Sequence, residues 1–175
     1  NLYTHTQNSI IALESIYSLP YCGVDDFVKL MKQLIKNTSC KNLKELTVNL
    51  YGSNDSDVTN HYETSHSYDF LDHQFTSIEV LCLELSLAAG NISATLIEQL
   101  QHLIKENLPN LKYLEIYASA NDIKTLLTDR LLLQKLQYLV LKITDTHCNL
   151  DKYTVLHLPN LKHLKLINYS ACRKN

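Results

Sequence analysis

The chain has 175 residues, 45% of them hydrophobic, with only three Gly and three Pro, which suits one ordered domain around a single sizeable core. A formal net charge of -2 leaves no general cationic footprint for nucleic acid or an anionic membrane, both of which favour clustered Lys and Arg. Nowhere do 18 apolar residues run together, and no basic segment leads into an apolar core at the N-terminus, so no membrane span or secretory leader is expected.

In chain order, the first element is a weak repeat at Leu13-x-x-Ile16, where Ser18 fills the place of a third apolar residue; it is the candidate sixth strand. A helix is predicted over Asp25 to Lys36, with Phe27, Leu30, Met31, Leu34 and Ile35 on one face and Asp25 and Asp26 at its positive end. Five copies of one hydrophobic skeleton, Leu-x-x-Leu-x-Leu with Ile or Val allowed, then predict five strands. They are Leu43/Leu46/Val48, Ile78/Leu81/Leu83, Leu111/Leu114/Ile116, Leu136/Leu139/Leu141 and Leu161/Leu164/Leu166. Their starts lie 35, 33, 25 and 25 residues apart, in and somewhat above the range for stacked units of one strand plus one helix or turn. The polar stretch Tyr51 to His73 reads as an insertion or loop. Between strands the apolar period lengthens, predicting a helix from Ser93, its cap, to Glu106, with Leu96, Ile97, Leu100, Leu103 and Ile104 inward. Shorter helices are predicted over Asp122 to Leu132 and around Lys152 to Leu156. The near-duplicates Leu108-Pro109-Asn110-Leu111 and Leu158-Pro159-Asn160-Leu161 mark corners into the following strands.

On the segments NLKELTV, SIEVLCL, NLKYLEI, KLQYLVL and NLKHLKL, residues 40–170 resemble the leucine-rich repeat family, with irregular repeats of intracellular type. The family's usual Asn or Cys three residues after the sixth position is replaced by Tyr51, Ser86, Ser119, Thr144 and Tyr169, of which the short hydroxyl side chains Ser86, Ser119 and Thr144 can supply part of a hydrogen-bond ladder. The resemblance implies an α/β fold: a solenoid with a curved parallel sheet of five or six strands, and helices on the convex side. The expected domain is the whole chain, 1–175, with a weak repeat at 13–42 and clear repeats over 43–175. Because it starts at Asn1, it is read as a piece of a larger protein. Leu19-Pro20 before the first helix, and Cys40-Lys41-Asn42-Leu43, faintly resemble F-box proteins. Tyr21-Cys22-Gly23 stands where that family has an acidic residue, so any F-box is expected upstream.

Alternation along each strand sends the third, fifth and seventh positions onto the concave face. These are Glu45, Thr47 and Asn49; Val80, Cys82 and Glu84; Tyr113, Glu115 and Tyr117; Tyr138, Val140 and Lys142; His163, Lys165 and Ile167. The third-position column then holds Tyr113, Tyr138 and His163, with Tyr117 beside it, and tyrosine is enriched at binding hot spots. Acids lie toward the N-terminal repeats and Lys142, Lys162 and Lys165 toward the C-terminal ones, a gradient able to orient a partner. The expected partner-binding residues are Tyr113, Glu115, Tyr117, Tyr138, Lys142, His163 and Lys165.

Chemistry is not expected. Signatures for dinucleotide, P-loop, serine-hydrolase and zincin sites are absent from the sequence, and His61, His66 and His73 with Asp57, Asp69 and Asp72 match no common zinc spacing. His147-Cys148 would point to opposite faces of a strand, so no catalytic residue, metal, cofactor or small-molecule substrate is assigned. Five cysteines without a CxxC pair suit reduced thiols in the cytoplasm or nucleus. Four Asn-x-Ser/Thr sequons, at Asn37, Asn54, Asn91 and Asn168, read as chance in an Asn- and Ser-rich chain. The expected function is protein binding through the concave face. Alternatives are substrate recognition in an F-box-type ubiquitin-ligase adaptor, implied by resemblance, and a structural scaffold subunit that uses its convex face or its terminal edges. Nucleic-acid binding through Lys162, Lys165, Arg173 and Lys174 is the weakest reading.

Overall fold

The computed structural model describes residues 15–16, 31–33, 36, 42–52, 73–87, 94–128, 134–145 and 158–169. The fold is α/β with an all-parallel sheet whose strands lie side by side in chain order. Five strands are long: β2 (Glu45–Gly52), β3 (Val80–Leu87), β4 (Tyr113–Ala118), β5 (Tyr138–Ile143) and β6 (His163–Asn168). A two-residue strand, β1 (Ser15–Ile16), adds a sixth beside β2, with Ile16 opposite Leu46. That pairing places the weak first repeat in the register of the others.

The leucines set the register. Leu46, Leu81, Leu114, Leu139 and Leu164 face one another across the sheet, as do Val48, Leu83, Ile116, Leu141 and Leu166. A slip of one residue would turn every one of these side chains to the other face, so burying one face specifies the pairing strongly. The carbonyls of Lys44, Glu79, Lys112 and Gln137 each accept two backbone N–H bonds from the next strand's entry, at 2.8–3.1 Å. Beside them Glu79 pairs with Lys112 at 2.9 Å and with Lys44 at 3.6 Å, and Lys162 donates to Gln137 at 3.1 Å. Lys112, and then Lys44, hold the Glu79 carboxyl below its usual value.

Helices cover the leucine side. Helix α1 (Ala94–His102) inserts Leu96, Ile97 and Leu100 into the same core as the strand leucines. It does not end as an α-helix: Leu103–Asn107 forms one π-helical turn, closed by Leu108 N–H donating to the Leu103 carbonyl at 3.1 Å. The widened turn buries Asn107, whose side chain donates to the His73 carbonyl at 2.7 Å while its backbone carbonyl accepts from Phe75 N–H at 2.7 Å. Lys135 Nζ reaches into this helix end and donates to the Ile104 and Leu108 carbonyls, at 2.6 and 2.5 Å. Of the predicted first helix, Met31, Lys32, Gln33 and Lys36 are described; they are helical, and Met31 is fully buried.

Helix α2 (Ala120–Leu126) starts two residues earlier than the predicted Asp122, because Ser119 caps it. Ser119 Oγ accepts from Asp122 N–H at 3.1 Å and donates to the Asp122 carboxylate at 2.6 Å. The Ser-x-x-Asp spacing is a cap signature in the sequence. The hydroxyl assigned to an inter-repeat ladder therefore serves its own helix. Ala120 N–H is taken by Asp145 from beyond β5, at 2.6 Å, and Gln101 of α1 caps the other end by donating to the Thr125 and Leu126 carbonyls. Ser119→Ala is expected to cost about 1 kcal/mol, read as a lower urea midpoint, with Ser119→Thr recovering most of it. An unchanged midpoint would show that the cap contributes nothing.

The two Leu-Pro-Asn-Leu corners are turns, with Leu111 N–H donating to Leu108 O at 3.2 Å and Leu161 N–H to Leu158 O at 3.1 Å. Their asparagines stitch neighbouring corners together: Asn110 donates to the Thr76 carbonyl at 2.6 Å and Asn160 to the Gln134 carbonyl at 2.5 Å. Tyr51 and Gly52, read as the start of a loop, instead finish β2 opposite Ser86 and Leu87. Most of the 51–73 stretch, the Lys152–Leu156 helix and the His147-Cys148 pair lie outside the described residues. Among the described residues no helix is long and apolar enough to cross a membrane.

Candidate functional site

Opposite the helices, the third, fifth and seventh positions form an open face in three rows. The register is Glu45–Val80–Tyr113–Tyr138–His163, then Thr47–Cys82–Glu115–Val140–Lys165, then Asn49–Glu84–Tyr117–Lys142–Ile167. These rows match the columns expected from alternation alone.

In the first row the rings stack. Tyr138 and His163 lie parallel, at 8° with centroids 4.9 Å apart, and Tyr113 sits 6.3 Å from Tyr138 at a tilt of 30°. The separation follows from the sheet, since parallel neighbours stand about 4.8 Å apart and identical positions superimpose their side chains. Tyr138 remains 37% exposed, so its ring is available to a partner.

Glu115, partly buried in the second row, ties the three rows together. Tyr113 donates its hydroxyl to Glu115 Oε2 at 2.8 Å, and Lys142 forms an ion pair with Glu115 Oε1. Burial, and then that bond to the carboxylate, push the Tyr113 phenol well above its ordinary range; Glu115 holds the Lys142 ammonium above its own. Glu115 and Lys142 therefore satisfy each other, and the expected charge gradient is carried by its outer members: Glu45 and Glu84 on one side, the exposed Lys162 and Lys165 on the other.

Tyr117 does not join the Tyr113 row. It lies four residues further along β4, about 13 Å by strand rise, and meets Tyr169 edge to face at 5.5 Å and 78°. Both rings line a hollow of about 270 Å³, together with Thr47, Asn49, Cys82, Glu84, Glu115 and Lys142 among others. Cys82, Glu84 and Tyr169 were not among the expected site residues. For Tyr169 the signal was present, because alternation carried past Ile167 puts it on this face.

Cys82 is unsuited to nucleophilic work. Burial, then the carboxylates of Glu115 and Glu45, push its thiol up to about 11. In the native chain at pH 8, alkylation of Cys82 by iodoacetamide is expected to run on the order of a hundredfold slower than in unfolded chain, the gap closing as pH approaches the thiol's pKa. Peptide mass spectrometry reads this directly, and equal rates would show an unperturbed thiol. Among the described residues no cluster of three His, Cys, Asp or Glu is placed to hold a metal, and of the His/Asp segment only His73 is described, edge-on to Phe75 at 4.8 Å. No protein-family profile, curated protein or solved structure matches the chain.

Proposed function

We propose that the chain is an irregular solenoid of leucine-rich repeat type, with the open sheet face on its concave side, and that it acts without catalysis as a protein-binding module of the cytoplasm or nucleus. The bound segment lies across Tyr113, Tyr138 and His163. One observation carries this reading: aromatic rings from three successive strands adjoin in one row, Tyr138 stacked on His163 and tilted against Tyr113, with Tyr138 exposed. Such a strip offers large rigid contact area at low entropy cost. Affinity capture from native extract, comparing the wild-type chain with a folded Tyr113→Ala/Tyr138→Ala variant, tests it. A partner lost with the tyrosines supports the strip; an unchanged partner set sinks it.

A second reading has its own observation. Among the described residues, Leu164 and Leu166 of β6 are 51% and 46% exposed, whereas their counterparts in the preceding strands are buried. An exposed apolar strand face calls for a covering surface. A scaffold role would cover this strand in an assembly, and the chain alone would then self-associate in proportion to concentration, as read by sedimentation velocity.

A further inference from the structure

We propose that the hollow lined by Tyr117, Tyr169 and Glu84 receives an arginine side chain of the bound protein segment, an inference resting on the reading of this face as a protein-binding surface. Size is the first argument. At about 270 Å³ the hollow falls below the range of roughly 300–1,000 Å³ typical of cofactor and drug-sized sites, yet it holds one long side-chain head group.

Charge is the second. Two carboxylates, Glu84 and Glu115, and one ammonium, Lys142, line the hollow, leaving one negative charge. Lys142 is committed to Glu115 by their ion pair, so Glu84 is the carboxylate left for a ligand; it has no hydrogen-bond or ion-pair partner among the described residues. The raised thiol of Cys82 responds to the same field, its second cause after burial being Glu115.

Shape selects among cations. Tyr117 and Tyr169 meet nearly at right angles and make an aromatic corner beside Glu84. A guanidinium is flat, weakly hydrated and forked, so it can lie on a tyrosine ring while donating to a carboxylate; a lysine ammonium is compact and strongly hydrated and gains less from both contacts. The neighbouring Lys142 ammonium adds a penalty for any cation that is not held closely to Glu84. Arginine is the side chain that fits all three conditions.

The test is an NMR titration of the full chain, carbon-13-labelled at tyrosine, with N-acetyl-arginine amide as probe. The Tyr117 and Tyr169 ring signals, identified through Tyr117→Phe and Tyr169→Phe, are expected to move saturably while those of Tyr113 and Tyr138 stay still. N-acetyl-citrulline amide, neutral and nearly isosteric, should move neither, and N-acetyl-lysine amide should bind more weakly. Glu84→Gln, nearly isosteric and checked for folding by circular dichroism, should weaken the arginine probe about tenfold, the size of one charge-assisted contact. No saturable movement, an equal response to citrulline or lysine, or an unchanged affinity in Glu84→Gln overturns the proposal. Failure here with tyrosine-dependent capture intact removes only the arginine site; a responsive hollow with capture indifferent to Tyr113 and Tyr138 removes only the strip reading.

Discussion

Leu114→Ala is expected to cost about 2–5 kcal/mol of folding stability, whereas Leu164→Ala, at the same position of its repeat, should cost about 1 kcal/mol or less. Both leucines occupy one column of the sheet, joined in register through Leu139. Leu114 is fully buried among strand and helix leucines, so truncation leaves a cavity that its neighbours on β3 and β5 cannot fill. Leu164 is half exposed, and removing its methyl groups forfeits only the part of its surface already withdrawn from water. Urea unfolding followed by far-ultraviolet circular dichroism and by tyrosine fluorescence, which no tryptophan obscures, gives both values. Equal costs would mean that the inner face of β6 is covered in the isolated chain, and the scaffold reading would lose the observation that favours it.

The second large effect concerns affinity. Once a partner is in hand, Tyr113→Ala/Tyr138→Ala should weaken it by about 2 kcal/mol or more, roughly 30-fold in Kd. The two rings do different work. Tyr138 is the exposed centre of the stack, in contact with both neighbours, so its loss removes contact area and breaks the strip. Tyr113 also ties its hydroxyl to Glu115, so its removal frees that carboxylate to interact with Lys142 alone. Tyr113→Phe therefore separates the effects: it keeps the ring, drops the bond to Glu115, and should retain most of the affinity if stacking is what the partner uses. Isothermal titration at two salt concentrations distinguishes an aromatic contact, little affected by salt, from a charge-led one. A double variant within twofold of wild type would exclude the strip as the binding surface.

Much of this arrangement was legible from residue spacing, and the reason is specific. A parallel sheet with one buried face tolerates no slip, so each Leu-x-x-Leu-x-Leu copy determines which neighbours face the core and which face out. The rows Glu45 to His163, Thr47 to Lys165 and Asn49 to Ile167 follow from that alternation, as does the pairing of Ile16 with Leu46 in the weak first repeat. The Leu-Pro-Asn-Leu corners were equally readable as turns, because proline restricts the backbone locally, although the distant carbonyls that Asn110 and Asn160 bond were not.

What only the tertiary structure decided involves contacts between residues remote in sequence. No periodicity shows that Lys135 feeds the carbonyls at the end of α1, which turns π-helical as it buries Asn107, or that Asp145 supplies the bond that α2 needs at its start. Nor does it show that Glu115 and Lys142 neutralise each other at the centre of the charge gradient, or that Tyr117 turns to Tyr169 across an intervening strand and opens the hollow beside Glu84. Alternation decides the face on which a side chain stands. The neighbour it chooses there depends on chain length, ring orientation and charge among residues that only folding brings together.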